Sequence, residues 1–196
     1  MWANIICFRN VHPETLIASR NISDWARCDS RCLLMDYRSN EQLNKDLLEM
    51  ADMFSNIAMP FVIGLSSRQS PLVGIRISGN VRRGQDTLKP MVRLVSNLAG
   101  DETTGRELLT HFALHLLHQY NKDPLVTALL DTTDIAILPT LNPDGFEESR
   151  KGSCSGARNN RGRLNANNVE LIKSFPTFEE KEKFENDVQF DPYSDR

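Results

Sequence analysis

The residues whose types and spacing suggest chemistry begin with Glu102. In SNLAGDETTGREL, residues 96–108, an apolar strand-like run ends, a glycine turns the chain and a helix starts. Asp101 and Glu102 therefore fall where a strand C-terminus meets a helix N-terminus, the place where α/β proteins bind ligands. Three residues before Glu102 stands Ala99, a side chain with no donor atom. Adjacent carboxylates with water suit a hard cation such as calcium or magnesium better than zinc. The stronger reading is that acidic groups at a helix start face its exposed amides and dipole.

Three further groups carry charge or donor atoms. Arg158, Arg161 and Arg163 lie among asparagines and could hold a peptide carboxylate or another anion; for Arg158 and Arg161 a solvated loop is preferred. His111, His115 and His118 recur at i, i+4 and i+7, one helix face, so a metal site is geometrically possible. No Glu follows His111, as a His-Glu-x-x-His motif requires, and a structural or solvated row is preferred. Cys28 and Cys32 could open a zinc site, but no second pair follows at a finger or ribbon spacing, so free thiols or a disulfide are preferred.

The elements that must position these groups follow from periodicity. Ser39-Asn40-Glu41-Gln42 reads as a capping box, and Leu43, Leu47, Met50, Ala51 and Phe54 give the next helix one apolar face. Phe61–Leu65, Leu72–Ile77 and Met91–Val95 read as strands between turn-rich segments. A helix over 103–120 is expected to turn Leu108, Leu109, Phe112, Leu116 and Leu117 to the core. A second helix starts with Asp123 as cap and Pro124 at the first position, and DIAILP, 134–139, is a buried strand. From Asn142 the chemistry becomes that of loops. Strands alternating with helices indicate an α/β fold whose sheet is covered on its faces.

The 196 residues are 40% hydrophobic and 25% charged, enough for one globular domain. The domain is expected over 35–176, with an N-terminal segment or linker at 1–34 and a charged tail at 177–196. A net charge of -3 gives no reason to expect nucleic acid, although Arg82-Arg83 and Arg158–Arg163 are local basic groups. No apolar run reaches the ~18 residues of a membrane span, so a soluble protein is expected. The first residues lack the pattern of a signal peptide. Asn21-Ile22-Ser23 is a glycosylation acceptor by pattern.

From about Tyr37 to Pro176 the sequence resembles the zinc metallocarboxypeptidases, specifically the regulatory branch of carboxypeptidases N, E and D. IGLSS (63–67), SNLAGDETTGRELL (96–109), DPLVTALLDTTDIAILPTLNPDGFE (123–147) and GRLNANNVELIKSFP (162–176) carry the resemblance, in order and at suitable separations. It implies an α/β/α carboxypeptidase sandwich with a mixed β-sheet flanked by helices, here its N-terminal half or a shortened version. The family cofactor is zinc, held by His-x-x-Glu at a strand-to-helix turn and a later His. Three protein ligands leave one position for a water whose pKa the metal lowers.

Three departures bear on activity. The family HGNE is Ala99-Gly100-Asp101-Glu102 here, so only Glu102 matches a metal ligand. The family DLNRNFP is Glu170-Leu171-Ile172-Lys173-Ser174-Phe175-Pro176, where Ile172 cannot donate and Lys173 keeps charge without the planar fork that suits a carboxylate. Arg163 matches the arginine that polarises the scissile carbonyl and stabilises the oxyanion. The second histidine, the general-base glutamate and the specificity residues come after residue 176 in the family, and the remaining twenty residues show no counterpart. The expectation is a pseudo-carboxypeptidase that binds zinc weakly or not at all. In it Lys173 and Arg163 receive the C-terminus of a peptide or protein, or the domain serves a structural role. The resemblance implies the secretory pathway or the extracellular space. The alternatives are an active carboxypeptidase releasing C-terminal residues and a truncated product without independent function.

Overall fold

Ser39 starts the first helix, α1 (Asn40–Met53), by accepting the amide of Gln42 on its Oγ at 3.1 Å. Residues 37–81, 89–149 and 162–175 are described by a computed structural model. Only half of the expected capping box forms. The Gln42 side chain donates to Asp46 Oδ1 at 2.6 Å instead of reaching back, because Asp46 lies one turn along on the same face. Leu43, Leu47, Met50 and Ala51 are buried as the helical spacing requires.

The strands are β1 (Ala58–Leu65), β2 (Pro71–Ile77), β3 (Met91–Val95) and β4 (Asp134–Leu138), in sheet order β1-β2-β4-β3. β1 with β2 and β2 with β4 are antiparallel, whereas β3 with β4 is parallel, so the sheet is mixed as expected. A parallel neighbour needs a long crossover. It is made by α2 (Thr104–Gln119) and α3 (Pro124–Thr132). Asp123 Oδ1 accepts the Leu125 and Val126 amides at 2.7 and 3.2 Å, with Pro124 following as its fixed φ favours. Val73, Ile75 and Ile77 of β2 share one face by strand alternation. They join Ile135 and Ile137 of β4, the apolar stripe of α1, and Ala113, Leu116 and Leu117 of α2 in one core.

The phase of α2 differs from its sequence pattern. Leu116 and Leu117 are buried and Leu109 packs partly, but Leu108 and Phe112 are exposed. The buried stripe runs instead through Arg106, Thr110, Ala113, Leu114 and Leu117. The cause is the fully buried Arg106. Its Nη1 donates to Asn40 Oδ1 at 2.6 Å, its Nη2 to the Arg38 carbonyl at 3.0 Å, and its guanidinium lies 3.8 Å over the Phe146 ring. Burial lowers its pKa to about 10, with nearby Glu107 opposing the shift. Arg38 in turn pairs with Asp46 at 2.7 Å and with Glu107. An apolar count cannot foresee a helix rotated to satisfy a buried cation.

Residues 142–149, expected as loop, contain a short helix, α4 (Pro143–Glu148), capped by Asn142. Asn40 donates to the Pro143 carbonyl at 2.9 Å and to Glu147 at 2.8 Å. The polar network thus ties the starts of α1 and α2 to α4. Among the described residues no helix is long and apolar enough to cross a membrane. Arg82, Arg83, Arg158, Arg161, the four cysteines and the Asn21 acceptor lie outside the described residues.

Candidate functional site

The turn after β3 is built by Asn97. Its backbone is left-handed, with φ 57°, a conformation asparagine tolerates better than most residues. From that position its Nδ2 lies 3.0 Å from the carbonyl oxygens of Ala99 and Gly100 and 3.3 Å from that of Glu102, while its Oδ1 accepts Thr140 Oγ1 at 2.7 Å. The Asn142 amide donates to the Asn97 carbonyl at 3.0 Å.

Asn142 joins the second and third segments to this turn. Its Oδ1 accepts the Gly145 amide at 2.9 Å, and its Nδ2 reaches the carbonyls of Leu98 at 3.1 Å and Arg163 at 3.2 Å. Gly100 marks how closely the three approach. A Cβ there would overlap the Gly145 carbonyl carbon, the Phe146 amide and the Gly162 carbonyl oxygen. SNLAGDE, NPDGFE and GRLN, far apart in sequence, form one cluster.

Arg163 emerges from this cluster beside Glu102. Its Nη1 is 3.5 Å from Glu102 Oε1, and its Nε donates to Glu170 Oε1 at 2.9 Å. The 3₁₀ helix Leu171–Ser174 places Lys173 one turn past Glu170, and Lys173 Nζ lies 2.7 Å from Glu170 Oε2. The loop before it is closed by Asn165, whose Oδ1 accepts the amides of Asn167 and Val169 at 3.0 and 2.9 Å. The hydrogen bond from Lys173, then that from Arg163, holds the Glu170 carboxyl below its usual range, and Glu170 raises the Arg163 pKa.

Glu102, Arg163 and Lys173 thus come together. Glu170, which bridges both cations, carried no role in the sequence reading, and neither did Asn97 or Asn142. A carboxylate three residues before Lys173 on a turn was the one available signal for Glu170.

Zinc at this turn would need donor atoms from the described residues. Ala99 offers nothing, the Glu102 carboxylate is largely exposed and faces Arg163, and Asp101 Oδ1 is buried without a hydrogen-bond partner. No group of three His, Cys, Asp or Glu among the described residues is arranged to hold a metal. A catalytic zinc needs three ligands, so the described residues do not fit it. The histidine row forms no site either. His115 is exposed, and His118 packs edge-on against Phe54 with ring centroids 5.0 Å apart. His111 is half-buried, and burial with the nearby Arg38 charge lowers its pKa to about 4.

The zinc carboxypeptidase family model matches residues 43–196. The chain belongs to this family. Carboxypeptidase D of Drosophila melanogaster is 36% identical over 140 residues, which is 71% of this chain and 10% of that protein. Mouse (Mus musculus) carboxypeptidase M is 38% identical over 140 residues, 71% of this chain and 31% of that protein. Both belong with the regulatory branch. The chain therefore spans between a tenth and about a third of these two zinc carboxypeptidases. The crystal structure of thrombin activatable fibrinolysis inhibitor superposes with a TM-score of 0.56 at 20% identity, covering 76% of this chain and 34% of that one. That likeness shows the family fold.

Proposed function

We propose that this zinc-carboxypeptidase-like domain does not hydrolyse peptide bonds and that its Arg163 and Lys173 receive the C-terminal carboxylate of a peptide or protein. The observation that carries the reading is Ala99, a methyl group in a turn whose backbone is otherwise held in place by Asn97. Hydrolysis by this family depends on a metal-activated water. Glu102 alone, paired with a guanidinium, gives a metal no defined open position. What remains is a guanidinium and an ammonium about one carboxylate apart, both at the solvent edge and suited to charge-assisted hydrogen bonds.

Calorimetry with short peptides and their C-terminal amides tests the binding half. The acid is expected to bind more tightly than the amide, and equal binding of both would end the proposal. Metal content after purification tests the other half. Near-stoichiometric zinc together with chelator-sensitive release of C-terminal residues would establish the second reading, a working carboxypeptidase, which the family membership favours.

A further inference from the structure

We propose that Glu170 is a built-in competitor for the carboxylate subsite, so that a ligand carboxylate binds Arg163 and Lys173 only by displacing it. The inference rests on the carboxylate-binding reading above and adds a determinant of its affinity. Each oxygen of Glu170 takes one of the two cations, Oε1 the Arg163 Nε at 2.9 Å and Oε2 the Lys173 Nζ at 2.7 Å. This is the bridging arrangement a terminal carboxylate would need.

The competitor is tethered. Glu170 precedes Lys173 on the same 3₁₀ turn, and the loop leading to it is closed on Asn165 by the Val169 amide at 2.9 Å. A carboxylate held so close acts at a high effective concentration against a ligand arriving from solution. Charge reinforces the effect. Glu102 stands 3.5 Å from Arg163 on its other side and Asp101 also acts on it, so nearby carboxylates offset the two cations and weaken their attraction for an anion. Lys173 remains largely exposed, so a ligand can still reach it.

The test compares wild type, Glu170→Gln and Glu170→Ala by calorimetry with a short N-acetylated peptide and its C-terminal amide, after thermal melts confirm folding. Removing the charge is expected to tighten binding of the acid about tenfold or more and to leave the amide unchanged. Adding Lys173→Met to Glu170→Gln is expected to abolish the gain. If wild type prefers the acid but neither Glu170 variant binds it more tightly, the competitor role is wrong while carboxylate binding stands. If acid and amide bind equally in wild type, carboxylate binding fails and the competitor role with it.

Discussion

Asn97 donates from one side-chain nitrogen to the carbonyls of Ala99 and Gly100, each at 3.0 Å. The turn therefore keeps its backbone without any metal ligand at position 99, because an asparagine two residues earlier satisfies its carbonyls. The shape of a ligand-bearing turn and its ability to bear a ligand are separate properties here.

Asn97→Ala is expected to destabilise the fold by about 2–3 kcal/mol. It strands buried carbonyls and the Thr140 hydroxyl, and it places a residue less suited to it at a left-handed φ. Urea denaturation measures the loss. Asn97→Gly, which relieves the backbone but not the hydrogen bonds, should recover only part of it.

Gly100→Ala places a methyl group against backbone atoms of Gly145, Phe146 and Gly162, none of which is the tip of a flexible side chain. The three segments must then part. A loss of about 1–3 kcal/mol or more is expected from overpacking alone. Changed amide chemical shifts should concentrate at 142–149 and 162–164, and shifts confined to 99–102 would show that the close approach is not maintained in solution.

Arg106→Ala removes a buried cation from Asn40, the Arg38 carbonyl and the Phe146 ring. Leaving these buried acceptors without a donor costs about 1–3 kcal/mol each. Arg106→Lys should rescue little, since one ammonium cannot reproduce the planar fork. A thermal melt of both variants decides this, and a Lys variant close to wild type would contradict it.

Stability should fall as pH drops through the range from 6.5 to about 4. His111 titrates near 6.5 when unfolded, but folding lowers it to about 4, so over that interval the unfolded chain binds the extra proton. Protons then favour unfolding. Above 6.5 the imidazole is neutral in both states and the contribution is constant. Urea midpoints measured across pH 4–7 should show this slope, and His111→Gln should reduce it, leaving the part due to His118, whose pKa burial also lowers.

The positions of most elements could be read from sequence because each rests on local, repeated signals, and the motif strings carried the family and, through that resemblance, its mixed sheet. The apolar spacing of α1, the Asp123-Pro124 start of α3 and the motif strings are such signals. The replacement of a histidine by Ala99 is likewise a property of one position in a recognisable string. Relations between distant residues could not be read in this way. The rotation of α2, which exposes Leu108 and Phe112, depends on where Arg106 finds Asn40 and Phe146, 66 residues before it in one case. The pairing of Arg163 with Glu102, across 61 positions, needs the Asn97 and Asn142 bonds that bring three segments together. Sequence determined which charged groups exist near this turn. Tertiary structure decided that they face one another, because a buried donor takes the acceptors its surroundings bring within reach, whatever their separation along the chain.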